Sequence, residues 1–259
     1  YEKIADKVKN INRDFQSQLV DILTDQNKDF YAGEKTFENI KCLENSETLV
    51  VATGQQAGLF SGPLFTIYKA LTTIKLADEL SSKLKTKVIP VFYLVSEDHD
   101  FAEVQWAGFV NKANSYQAIK FNPEFVKERT PVADIKIDEN IVQIFNELEN
   151  SRPNTDFSDQ LFKYLESFYE NGIGFHTAFC RWFQHMFKKF GIVIFDSSDP
   201  RTKSLVQPIF KKELEEHVTI KAIQKTNEML LEIGYHVQIP ILENRPSLFI
   251  LENGRHSLE

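Results

Sequence analysis

The chain has 259 residues, 42% hydrophobic and 26% charged, with a formal net charge of −7. That length suits one large α/β domain or two small ones, and the negative balance argues against a general nucleic-acid binder. No apolar run reaches membrane-spanning length, no secretory leader opens the chain, and Cys42 and Cys180 form neither a disulfide framework nor a zinc signature, so a cytoplasmic setting without a membrane partner is expected.

In chain order, residues 1–30 read as one long helix, because Ile4, Val8, Ile11, Phe15, Leu19, Ile22 and Phe30 recur at spacings near three and four. Gln26 interrupts that stripe. The helix either packs on its own domain or pairs as a coiled coil with a second chain. Residues 31–47 are polar and predict a loop. Leu49-Val50-Val51-Ala52 then predicts a buried strand, followed by three evenly spaced glycines, Gly54, Gly58 and Gly62, with Gln55 and Gln56 between them. Pro63 opens an amphipathic helix carrying Leu64, Ile67, Tyr68, Leu71, Ile74 and Leu80. A strand, a glycine-rich loop and a helix N-terminus together suit an anion, since glycines admit close approach and free N–H groups favour negative charge. The loop is not a P-loop, because Pro63-Leu64 follow the last glycine, and the dinucleotide fingerprint G-x-G-x-x-G is absent. The plain alternative is a tight turn without a ligand. The paired amides of Gln55 and Gln56, able to donate and accept, favour the ligand.

Residues 87–96, KVIPVFYLVS, predict a second strand, covered on both faces, with Pro90 marking a start or a bulge. The two strands and the helix between them make a βαβ unit, whose ligands collect at the strands' carboxyl ends, here Thr53-Gly54 and Ser96-Glu97. The second end carries Ser96-Glu97-Asp98-His99-Asp100. Three carboxylates and an imidazole at a strand end are costly unless paired or used. They could recognise an amine or hydroxyl, place His99 as a general base, or hold a divalent metal through Asp98 or Asp100. Alternatively Asp98 or Asp100 caps a helix beginning near Phe101.

Further on, residues 106–110, 116–121 and 132–137 predict short strands in an inserted or edge region that includes a hairpin over the site. Helices are expected over 139–148, 158–170 and 176–190, with Cys180 as a small buried hydrophobe. Gly191–Asp196 predicts a third parallel strand whose tip, Asp196, would bind a hydroxyl or an amine, while Ser198 or Asp199 caps a helix from Pro200. A long helix over 208–233, strands over 237–242 and 248–251, and a turn at Asn253-Gly254 complete the chain. The second hairpin arm would begin at Arg255, close to the chain end, and so reads as truncated.

Five stretches carry a resemblance. TGQQAGLFSGPLFTIYK from Thr53, VFYLVSEDHDFAEVQ from Val91, Thr130-Pro131-Val132, GIVIFDSSDPRTK from Gly191 and GYHVQ from Gly234 closely resemble the BshC family, cysteine ligases of bacillithiol biosynthesis. The family protein is longer, and this chain resembles its N-terminal half. The resemblance implies an α/β fold: a Rossmann-like parallel sheet flanked by helices, with an inserted α/β region and long helices. It also implies attachment of cysteine to glucosaminyl-malate through a carboxylate activated by ATP or another group, and a homodimer in the full-length protein. Domains are expected at 1–47 (helical), 48–206 (core, with an insertion near 104–190) and 207–259. Asp98 and His99 are the expected catalytic pair. Thr53, Gly54, Gln55, Gln56, Gly58, Gly62, Ser96, Glu97 and Asp196 are the expected substrate- or nucleotide-binding set, and no metal site is expected. The rival readings are a metal-dependent hydrolase built on Ser96–Asp100 and a non-catalytic binding or scaffold module.

Overall fold

Three parallel strands place the polar residues, and their register decides which ones meet. Strand β1, Leu49–Gln55, pairs with β2, Val88–Leu94, which pairs with β5, Val193–Asp196, in the order β1-β2-β5. Gln55 lies opposite Leu94, and Leu94 opposite Asp196, so the three carboxyl ends finish side by side. The computed structural model describes residues 1–11, 15–241 and 246–258. Its compact units are Tyr1–Asp199 and Pro200–Glu259. The first is a parallel sheet flanked by helices, the expected Rossmann-like class.

Pro90 sits inside the central strand without breaking it. Lys87 O and Val95 N bond β1. Leu94 O accepts from Ser197 N beyond β5, so even-numbered positions of β2 face β5. Pairing with β5 begins only at Val91 opposite Val193, one residue after Pro90, so its missing N–H costs no ladder bond.

One face of the sheet carries Phe92, Leu94 and Ile194, fully buried against Ala70 and Ile74 of α4 (Leu64–Leu84) and against Phe179 and Phe183 of α8 (Phe175–Phe187). The Phe92 and Phe183 rings lie 4.5 Å apart, a favourable aromatic contact. The other face packs Ile89 and Val193 on Val20 and Leu23 of α2 (Gln16–Asp29) and Ile40 of α3 (Glu34–Cys42). Helix α1, Glu2–Lys9, adds Ala5 beside Leu49 and Val88.

Two expectations fail at the N-terminus. The single helix over 1–30 is two helices. The first stops at Asn10, whose side chain bonds back to Asp6 O at 2.8 Å, and residues 12–14 lie outside the described residues. The expected loop over 31–47 contains helix α3. Its polar residues face inward: Thr36 Oγ1 donates to Ile192 O at 3.2 Å and Asn39 Nδ2 to Gly191 O at 2.6 Å.

These bonds lead into a ladder of helix side chains that continues along the outer edge of β5. Asn27 donates to Ile194 O at 2.8 Å and accepts Ile194 N–H at 3.1 Å. Gln26 donates to Asp196 O and accepts Asp196 N–H, both at 3.0 Å. Gln184 Nε2 joins Asn27 Oδ1 at 2.9 Å and Ile192 O at 3.0 Å. An exposed strand edge invites pairing with another chain. Here helix side chains take the place of a fourth strand, and Gln26, the residue that breaks the apolar stripe, belongs to that edge.

The segment between β2 and β5 carries helix α5 (Phe101–Val104), an antiparallel hairpin of β3 (Trp106–Val110) and β4 (Tyr116–Lys120), and helices α6 (Ile141–Ser151), α7 (Ser158–Phe168) and α8. Residues 132–137 are not the expected strand. Val132–Asp134 form a 3-10 turn, and Lys136 makes a single bridge to Gly174. The turn is anchored to the second strand end, with Val132 N donating to Asp98 O at 2.8 Å and Ala133 N to Ser96 O at 2.9 Å.

In the second unit the helix expected over 208–233 is α9, Pro200–Glu216, and α10, Val218–Glu232, broken at His217, which has φ 51°. Glu213 anchors the break by accepting Thr219 N–H at 2.8 Å. Residues 237–241 form no strand, and Leu242 lies outside the described residues. The hairpin is not missing an arm: β6, Phe249–Leu251, pairs with β7, Arg255–Ser257.

The amide ladder makes a stability prediction. Asn27→Ala strips partners from both backbone groups of Ile194 and from Gln184, and should cost about 2–4 kcal/mol in urea unfolding. Lys28→Ala, one residue along and solvent-exposed, should stay within about 0.5 kcal/mol. Equal effects would contradict the ladder.

Candidate functional site

The acidic end of β2 is tied to the residue that follows β1. Gln56 Nε2 donates to Asp98 Oδ2 at 2.7 Å and to Glu103 Oε2 on α5 at 3.0 Å. One amide group thus donates to two carboxyl groups. Asp98 Oδ1 accepts the His99 backbone N–H at 2.8 Å and lies 3.5 Å from His99 Nδ1. Asp98 thus lies beside the imidazole without a hydrogen bond to its Nδ1, and the His99 ring stays partly open to solvent. The expected helix cap is absent: Asp100 stands at the cap position of α5 with no side-chain cap bond, and Phe101 N bonds His99 O instead.

A second polar cluster forms at the tip of β5. Asp196 is buried. Its Oδ1 accepts from the Ser96 hydroxyl, from Ser198 N at 2.9 Å and from Ser198 Oγ at 2.8 Å. Its Oδ2 lies 3.4 Å from His176 Nε2, at the start of α8. Burial pushes the His176 pKa down, while Asp196 and then Asp134 oppose that shift. Nothing in the sequence pattern joined His176 to Asp196, because they stand on separate elements that only the fold brings together. Burial also pushes the Cys180 thiol up, as befits a residue used for packing.

The glycine loop is closed on itself. A Cβ on Gly58 would lie 2.5 Å from Gly62 Cα, and Gly62 has φ 69°. Between them Phe60 and Ser61 also have positive φ, 51° and 90°. Two aromatic residues hold this unfavourable backbone: Phe60 N donates to Tyr169 Oη at 3.0 Å, and Trp182 Nε1 donates to Ser61 Oγ at 2.9 Å. Burial pushes the Tyr169 hydroxyl pKa well up, keeping it neutral. Ser61 N and Gly62 N bond Gly58 O and Leu59 O inside the loop. With the Phe60, Ser61 and Gly62 amides all engaged, this loop does not fit a phosphate cradle of P-loop type. Gly62 instead lines an apolar cavity of about 550 Å³ bounded by Phe60, Phe109, Leu161, Phe162 and Trp182.

The strand ends thus bring Gln56, Asp98 and His99 together, and separately join Ser96 to Asp196. Both groups hang on the short segment 96–99. Thr53 and Gly54 lie in β1 opposite Phe92 and Tyr93, and Glu97 is half-buried between the two clusters in sequence. Gln55 turns to a different partner, Lys69, whose Nζ donates to Gln55 Oε1 at 2.9 Å and to Gly54 O at 2.5 Å. Lys69 closes the motif TGQQAGLFSGPLFTIYK, yet its position well inside α4 hid it from a reading centred on the loop. Among the described residues, no group of three or more His, Cys, Asp and Glu side chains is arranged to hold a metal ion. No helix among them is long and apolar enough to cross a membrane.

Fold and site define a Rossmann-like α/β domain whose polar groups gather at the carboxyl ends of adjacent parallel strands. Comparison with known proteins makes that class specific. The chain belongs to the BshC family: the family model described as "Bacillithiol biosynthesis BshC, N-terminal Rossmann-like domain" matches residues 1–259. Similar relatives carry the name "Putative cysteine ligase BshC". The protein from Salinibacter ruber is 31% identical over 222 residues, 85% of this chain and 40% of the relative. The one from Bacillus cytotoxicus is 30% identical over 233 residues, 89% and 42%. The one from Symbiobacterium thermophilum is 30% identical over 241 residues, 88% and 43%. The chain thus spans about two-fifths of the length of these curated relatives.

Two measurements test this geometry. A histidine whose folded pKa is depressed binds its proton more readily in the unfolded chain, so acid favours unfolding. Stability should therefore fall as pH drops through the ordinary histidine value near 6.5. Subtracting the unfolding profile of His176→Gln from that of the wild type should reveal this component, and parallel profiles would contradict it. Gly58→Ala drives a methyl group into backbone and should cost about 2 kcal/mol or more, read by denaturant unfolding.

Proposed function

We propose that this domain carries the amine-activating part of a cysteine ligase of bacillithiol biosynthesis, joining the cysteine carboxylate to the amine of glucosaminyl-malate. The family membership and the names of the relatives support the reaction class. The observation that carries the assignment to this site is the Gln56–Asp98–Glu103 linkage beside His99. Carboxylates held by an amide at a strand end suit a protonated or attacking amine, since charge-assisted hydrogen bonds are the strong ones.

In this reading Asp98 and Glu103 bind the acceptor amine, Gln56 fixes both carboxylates, and His99 takes the proton released as the amine attacks. An activating group on the cysteine carboxylate, from ATP or another donor, makes its carbonyl carbon electrophilic. The C–N bond forms as the bond to that group breaks, and the nitrogen proton passes to His99. Asp196, held by Ser96, Ser198 and His176, binds a sugar hydroxyl. No step is routed through a nucleotide on the glycine loop, where the Phe60, Ser61 and Gly62 amides are already bonded. The full-length protein would act as a homodimer, with its remaining length completing the cleft.

The test is thiol-product formation by the full-length protein with cysteine, acceptor and nucleotide. His99→Ala should lower turnover by about 10²–10⁴, the usual worth of a general base. Gln56→Ala should lower it by about tenfold or more by freeing the carboxylates. Wild-type turnover in both variants would remove these roles.

A further inference from the structure

The Lys69 ammonium is oriented like the acidic residues, toward the strand ends, but it carries the opposite charge. It is half-buried. Its two hydrogen-bond acceptors, Gly54 O and Gln55 Oε1, are both neutral. Among the described residues no carboxylate pairs with it, whereas Lys9, Lys28 and Lys211 each find one. A lysine ammonium has three donors, and two neutral carbonyl-type oxygens leave one donor and the whole unit charge for something else. Withdrawing a cation from water is costly without a counter-ion, so a half-buried ammonium fixed on neutral groups is a poor structural choice and a good binding one.

Its placement has a reason in the fold. Gln55 is the last residue of β1, and the next residue, Gln56, holds Asp98 and Glu103. Two neighbouring glutamines therefore take opposite charges, Gln55 the ammonium and Gln56 the carboxylates. Gly54 brings its carbonyl to the ammonium at a position where a Cβ would lie 3.3 Å from Tyr93 O, tighter than an ordinary contact.

We propose that Lys69, aimed by Gly54 and Gln55, is an oxyanion-binding residue at the tip of β1, serving a carboxylate or phosphate on a substrate. The site then has two poles, acidic at Asp98–Glu103 and cationic at Lys69. It suits a molecule with an amine at one end and an oxyanion at the other. That assignment of poles rests on the proposed acceptor, whose malate moiety supplies carboxylates, whereas the anion site itself does not depend on it.

The experiment titrates this 259-residue protein with L-malate, inorganic phosphate and neutral glycerol, following the lysine side-chain NMR signals with Lys69 assigned. Saturable movement of the Lys69 signal with malate supports a carboxylate site, and with phosphate a phosphate site. Glycerol should move nothing. Lys69→Gln should weaken binding about ten- to hundredfold, the worth of a charged hydrogen bond, and Lys75→Gln on the exposed side of α4 should not. Because the wild-type signal is itself a readout, the test survives if Lys69→Gln folds poorly. An unmoved Lys69 signal with both anions, or equal affinity in Lys69→Gln, overturns the proposal. If Lys69 binds an anion while His99→Ala keeps full turnover, the anion site stands and the proposed proton transfer falls. Loss of turnover in His99→Ala with a silent Lys69 removes the anion site and leaves the proton transfer standing.

Discussion

The outer edge of β5 is the constraint on which the first unit depends. A four-residue strand at a sheet edge has few ladder bonds of its own, and Asn27, Gln26, Thr36, Asn39 and Gln184 supply the rest from three helices. Asn27 and Gln26 each bond both backbone groups of one residue in a buried setting, where unmade bonds are expensive. The consequence reaches the site directly. Gln26 holds both backbone groups of Asp196, so the carboxylate that meets Ser96 and His176 is fixed from behind.

The glycine loop shows the same use of buried polar groups. Consecutive residues with positive φ cost conformational energy, and Tyr169 and Trp182 hold them through one hydrogen bond each while burying large rings. Both aromatics come from the segment inserted between β2 and β5. That segment is thus a brace on the βα connection as well as the wall of an apolar cavity. The 3-10 turn at Val132 adds a third tie, gripping the carbonyls of Ser96 and Asp98. The result is a set of strand ends held in place before any ligand arrives, which is what electrostatic recognition of a charged substrate requires.

The strands were legible because buried parallel strands read as continuous apolar runs, as at Leu49–Ala52 and Val88–Leu94. The amphipathic helices α6, α7 and α8 were legible for the same reason at a different period. The failures have two causes, polar residues that face inward and a helix break without the usual signal. Helix α3 was hidden because Thr36 and Asn39 serve the backbone of residues 191 and 192. The break at His217 carried no glycine or proline signal, since a histidine adopts the left-handed turn there. At the site, the residue types and strand tips were readable, and the linkage of Gln56 to Asp98 follows from adjacency of strand ends. His176 and Lys69 were not readable, because each acts across a packing interface from inside a helix.

Placed together, these features describe a domain that offers an acidic pole, an imidazole and a cation at fixed positions along one end of a sheet. The most direct measurement is a crystal structure of the full-length protein with glucosaminyl-malate bound. The account predicts the sugar amine against Asp98 and Glu103 with His99 within reach of its proton. A ligand seated in the apolar cavity, with the strand-end residues untouched, would contradict it.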